Sequence, residues 1–296
     1  MGTRRNILSL PLADVQRLTA AFNTLKANGT YNTVVERHMR AMMEETPVGD
    51  TTTDRNIAHR GPSFLAWHRA ALLELADALR AVDPAIDDLP YWDWAADQAR
   101  SGGPRTSPLW TNDYFGPNGD PYQNNRVLTG PFKDWVARIY VASSNTFRDR
   151  SYTGLVRQLG SAVSSLPTNA QVNDLLNNSA YTVYDASPWS ESSSLQTFRN
   201  RLEGFYTGGA MHNRVHTWVG GDMRAGTSPN DPVFWLNHCN VDRLWWQWQQ
   251  KYGINTYRPE SGGPAGHNLN DTMTHLVTPR TPASVLNIAD LGYTYA

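Results

Sequence analysis

Six of the eight histidines in the 296-residue chain fall into two clusters of three. His38, His59 and His68 are separated by 21 and 9 positions, and His212, His216 and His238 by 4 and 22. His212 and His216 are one helical turn apart, so on a helix their imidazoles converge on one point. His38, His68 and His238 each interrupt an apolar stripe at helical spacing. His38 runs with Val34, Val35 and Met42, His68 with Leu65, Leu72 and Leu75, and His238 with Phe234, Val241, Trp245 and Trp248. Burying an imidazole costs free energy unless its nitrogens find partners. One such histidine alone reads as a core residue that has found a hydrogen bond. Three of them on separate helices, with an i, i+4 pair on a fourth, satisfy one another by sharing a metal, a site that bundles build from inward side chains.

The donor set narrows the metal. The pair "HNRVH" (His212–His216) lacks the glutamate that follows the first histidine of a zinc protease. Neither cluster has an obvious carboxylate ligand, which argues against a carboxylate-bridged di-iron site. Three neutral imidazoles suit copper or zinc. A single zinc with three histidines and a water needs only one cluster. Two balanced clusters favour a pair of coppers, which can supply two electrons to O2. His267 and His275 lie in the tail, match no motif, and read as surface or local hydrogen-bonding residues.

The positioning elements are legible as helices. Val15, Leu18, Phe22 and Leu25 mark one, closed by Asn28-Gly29, and Tyr31 to Met42 mark a second. A third starts near Pro62. Short helices are expected around Gln171–Leu176, within "SLQTFRNRLEGFY" and within "AMHNRVHTWV", the last stopped by Gly220-Gly221. The segment after Asp231, a good N-cap, opens on Pro232 and carries His238. Gly/Pro/Asn-rich stretches fill about 101–131, and "LGYTYA" reads as a short terminal strand. A net charge of -1 supplies no field for nucleic acid or an anionic membrane. No run of 18 apolar residues is present to span a bilayer. Cys239, the lone cysteine, excludes an internal disulfide. The N-terminus is not a convincing secretory signal.

"HRGPSFLAWHR" (His59–Arg69), "HNRVHTWVGGDM" with "SPNDPVFWLNHCNVDRLW" (His212–Leu244, Trp245), "LPYWDW" (Leu89–Trp94) and "FRNRLEGF" (Phe198–Phe205) together resemble the type-3 dicopper tyrosinase family, and most of all its compact bacterial members. The resemblance runs from about Arg4 to Tyr295. It implies a mainly α fold, a four-helix bundle core with long surface loops and few short strands, forming one domain over residues 1–296. It implies CuA on His38, His59 and His68, CuB on His212, His216 and His238, and O2 as co-substrate. The implied activity hydroxylates monophenols to o-diphenols and oxidises o-diphenols to o-quinones.

Free phenol ionises near pH 10, so a local base helps. In similar tyrosinases a glutamate and an asparagine hold a water proposed as that base, and the matching positions are Glu203 and Asn213. Read from residue types alone, Glu203 pairs with Arg201 or Arg214 and Asn213 caps a turn. Phe64 and Phe234 match aromatics that pack on the imidazoles. Gly226, Thr227 and Ser228 match a loop beside the substrate entrance. Asp242 reads as a structural partner of Arg243 or another arginine. Asn237 stands where a histidine is common in the family. Cys239 points away from the metal as a packing thiol, and with Ile57 and Ala58 before His59 there is no cysteine for the cross-link some relatives make.

Two other readings use the same metals. One is a catechol or o-aminophenol oxidase without efficient monophenol hydroxylation. The other is an O2 carrier of the haemocyanin kind, in which an extra domain covers the site; the short tail after His238 argues against it. Partners are expected to be small phenols, together with a caddie protein that delivers copper, as in several bacterial relatives. The expected location is the cytoplasm, or outside the cell by export on a partner that carries the signal.

Overall fold

A computed structural model describes residues 1–206 and 210–296. Helix α1 (Leu12–Ala27) ends at Asn28, and Gly29, at φ 84°, reverses the chain into α2 (Thr30–Met43). The left-handed conformation is the reason for glycine there. Helix α3 (Phe64–Val82) follows Ser63, two residues beyond the proline expected to open it. A five-residue helix, α4 (Trp94–Gln98), is capped by the Asp93 carboxylate. Helix α5 (Asn169–Asn177) starts in a reciprocal capping box of Thr168 and Gln171.

Helix α6 (Phe198–Glu203) is shorter than the stretch expected. The Thr197 hydroxyl caps its start and Gly204, at φ 114°, ends it. Helix α7 (Met211–Val219) stops at Gly220 as anticipated. Helix α8 (Val233–Tyr252) begins where the Asp231 carboxylate accepts the Val233 N–H.

Helix α3 lies against α1 and α8, and α7 packs on α6 and α8. The interior is heavily aromatic, as the tryptophan content predicts: Trp92, Trp94, Trp218, Trp235, Trp245 and Trp248 are all buried. The terminal strand is present. Strand β1 (Gly2–Arg4) pairs in parallel with β4 (Tyr293–Tyr295), Gly2 facing Tyr293 and Arg4 facing Tyr295. Between them in sequence lies a hairpin of β2 (Arg138–Val141) and β3 (Thr146–Asp149), which no pattern announced. No helix among the described residues is long and apolar enough to cross a membrane.

Candidate metal centre

Helices α2, α3, α7 and α8 deliver five of the six clustered histidines, and the loop before α3 delivers His59. In each triad the nearest ligand atoms lie within 4.8 Å of one another. The triads face each other: the rings of His68 and His238 stack at 4.0 Å, and those of His59 and His212 lie 6.3 Å apart. His59 and His216 are half-buried, while the other four are buried. His59, His216, His38 and His212 line an open cavity of about 310 Å³.

Backbone carbonyls orient the rings. The Nδ1–H groups of His38, His68 and His216 donate to the carbonyls of Gly226 (2.8 Å), Phe64 (2.8 Å) and Met223 (2.7 Å). That of His212 faces the Glu203 carbonyl (3.2 Å) and the Asn213 Oδ1 (3.0 Å). This arrangement fixes the tautomer with a lone pair on Nε2. The Nε2 atoms of His38, His68 and His216 are buried without a hydrogen-bond partner. The Nε2 atoms of His212 and His238 approach to 3.2 Å. Buried acceptors aimed at one point need an electrophile. With six imidazoles and no carboxylate or thiolate, the residues fit two copper ions. Burial drives every one of these imidazoles toward the neutral, metal-binding form, His38 and His216 to about 4.

Phe64 and Phe234 hold the rings from within the bundle. Phe64 packs on His59, His68, His212 and His238, and Phe234 on His38, His68, His216 and His238. Gly226 lies close to the Met39 side chain, whose Sδ would sit 2.5 Å from a Cβ placed there. Ser228 and Ala225 line the cavity mouth beside it.

Glu203 is fully buried at the cavity wall. Its partner is Arg199, at 3.0 Å, and neither Arg201 nor Arg214. Arg201 reaches Asp174 and Arg214 reaches Ser165. The i, i+4 spacing of Arg199 and Glu203 was a readable signal for the pair. The second carboxylate oxygen accepts the Arg60 backbone N–H at 2.6 Å. Arg60 holds φ at 62°, uncommon for a residue with a side chain, and nothing in the sequence marked it. Burial raises the Glu203 carboxyl to about 7, against the opposing pull of Arg199 and the Arg60 N–H. Asn213 orients His212 and does not cap a turn.

The remaining singled-out residues lie outside the metal cluster. The Cys239 thiol is buried and directed at the Leu89 carbonyl, 3.9 Å away, and burial pushes its pKa far up. Asn237 is buried beside His238, and neither of its side-chain amide atoms has a partner among the described residues. Asp242 binds Arg69 and Arg4, whereas Arg243 turns to Asn240 and Asp93. His267 is fully buried, so only the hydrogen-bonding half of its expected role holds. It accepts the Ser63 N–H at 3.2 Å and donates to the Thr46 hydroxyl at 2.6 Å. His275 is half-buried and meets Glu44 at 2.6 Å.

The family model for the common central domain of tyrosinase matches residues 28–251. The chain is 40% identical to a tyrosinase of Streptomyces antibioticus, with 97% of each chain covered. The chain belongs to the tyrosinase family. It is a tyrosinase-type copper oxidoreductase, and its two triads correspond to CuA and CuB. It is also 35% identical to grixazone synthase of Streptomyces griseus, over 99% of this chain and 98% of that one. Among solved structures it resembles a polyphenol oxidase from Thermothelomyces thermophila at TM-score 0.71 and 22% identity, covering 100% of this chain and 89% of that one. A functional unit of octopus hemocyanin shares the fold at TM-score 0.59 and 21% identity, covering 100% and 68%.

Proposed function

We propose that this tyrosinase uses O2 to hydroxylate small monophenols to o-diphenols and to oxidise o-diphenols to o-quinones. One observation carries the reading. Two facing triads of neutral imidazoles, with unpartnered Nε2 atoms on His38, His68 and His216, stand at an open cavity of about 310 Å³ beside a buried carboxylate. A cavity of that size suits a single-ring ligand. Bound copper supplies the redox couple that passes electrons from the phenol to O2.

The chain's own groups do the rest. The imidazoles of His38, His68, His212 and His216 are held with Nε2 toward the metal, and burial keeps all six neutral, so they bind metal without first losing a proton. His59 and His216, the partly exposed members of their triads, face the incoming ring. Glu203 and Asn213 hold the water that takes the phenol proton. Each Glu203 oxygen accepts one protein hydrogen bond, which leaves lone pairs for that water. Copper loading by a caddie-type partner belongs to the same reading and rests on the likeness to the Streptomyces relatives.

The test is oxygen uptake by copper-loaded protein with L-tyrosine, L-DOPA and an o-aminophenol side by side. Uptake with all three, tyrosine after a lag that a trace of diphenol shortens, is the expected result. Uptake with the diphenol or aminophenol alone would reassign the chain to the oxidase class without hydroxylation.

A further inference from the structure

A second cavity, of about 230 Å³, opens between α2 and α3 beneath residues 275–277. None of its lining residues lines the catalytic cavity. Trp67 and Trp235 form part of its lining, and Val34 and Leu75 add apolar surface. Three titratable groups line it, and two of them are committed. Glu74 accepts the N–H groups of Val277 and Thr278, at 2.6 and 2.9 Å, and so fastens the overlying segment. His275 gives its Nε2 to Glu44, which does not line the cavity. Arg37 is the exception. Its guanidinium is held only by a long ion pair with Glu74, at 3.9 Å and beyond hydrogen-bond range, and makes no hydrogen bond among the described residues.

An apolar space with a loosely paired, half-exposed guanidinium at its rim selects a ligand with an apolar body and an anionic end. A dry cavity of about 150 Å³ takes benzene, so this one takes a single ring with a short tether. We propose that the cleft is a second, non-catalytic site for a small aromatic carboxylate, its ring toward Trp67 and Trp235 and its carboxylate on Arg37. The site is coupled to the metal centre by contact. The Trp67 ring packs edge-on against His38 at 5.8 Å and His68 at 5.0 Å, both CuA ligands. An occupant therefore touches the side chain that orients two imidazoles.

The test uses the copper-loaded protein and 3-(4-fluorophenyl)propanoate, which has no hydroxyl to oxidise, followed by fluorine NMR. Saturable binding should persist when a tropolone chelator occupies the catalytic cavity. Binding should weaken by about two- to five-fold for the neutral amide analogue and in Arg37→Gln, the range of an exposed ion pair. It should be lost in Ala78→Phe, which fills the cleft from the half-buried face of α3; if that variant does not fold, Arg37→Gln decides. Displacement of the probe by the chelator would place it in the catalytic cavity and overturn the proposal. So would the absence of saturable binding at millimolar probe, or binding unchanged in Arg37→Gln. None of these outcomes bears on phenol oxidation, which the oxygen-uptake experiment tests separately.

Discussion

At the scale of single residues, the centre depends on which atom of each ring is left free. His38, His68 and His216 each spend Nδ1 on a backbone carbonyl, so Nε2 has nothing to bind until a metal arrives. Glu203 differs in kind. Its carboxyl is buried and raised by burial to about 7, and its backbone carbonyl faces the His212 Nδ1, yet it belongs to neither triad. Replacing it with glutamine keeps its shape and an acceptor for the Arg60 N–H. Glu203→Gln should leave copper content unchanged and slow monophenol hydroxylation by about 10²-fold or more, the usual loss of a positioned base. Diphenol oxidation should fall far less. Equal losses on both substrates in parallel steady-state assays would remove Glu203 from proton transfer.

At the scale of elements, the start of helix α8 is held by a buried ion pair. Asp231 accepts the Val233 N–H and holds Arg157 through two oxygens, at 2.6 and 2.8 Å, with both side chains fully buried. Removing one partner of a buried pair strands the other charge, at a cost of about 3–5 kcal/mol. Asp231→Ala should lose stability of that order in chemical denaturation. A change below about 1 kcal/mol, the size of a cap alone, would mean that the pair itself contributes nothing.

The helices α1, α2, α3, α7 and α8 were legible from hydrophobic periodicity, helped by proline at the start of α3 and α8 and by glycine after α1 and α7. The β2–β3 hairpin was not, since its strands are four residues long and only half-buried or exposed, with no alternation to read. Five of the six clustered histidines were legible inside apolar stripes or one turn apart, and His59, in the loop before α3, only through its cluster and the family resemblance. The carbonyls that orient them were not, because a backbone acceptor has no residue type. Glu203 was found only by family likeness, and its true partner, Arg199, lay one turn back.

At the scale of the whole molecule, the two chain ends are bound to the metal-bearing helices through one carboxylate. Asp242 on α8 accepts Arg69 from α3, Arg4 from β1, and the hydroxyls of Tyr293 and Tyr295 from β4. Burial alone would raise its pKa, but Arg69, Arg4 and the Tyr295 hydroxyl hold it below the ordinary carboxylate value. A carboxylate depressed in the folded state binds fewer protons there than in the unfolded chain. Its stabilisation is therefore complete above the unfolded pKa of about 3.9 and is lost as pH falls through the folded value. Thermal melts from pH 7 to pH 2 should show a steep acid loss that Asp242→Asn flattens, from a lower starting stability. An identical acid slope in both proteins would show that the cluster does not titrate with folding.

The same whole-molecule view makes the two triads one centre, with rings stacked across the bundle axis at His68 and His238. Copper content measured on purified, reconstituted protein tests this most directly. About two coppers per chain are expected, and about one in each of His38→Ala and His216→Ala, as a two-metal site requires. One copper or fewer in the parent protein, or two retained in either variant, would contradict it.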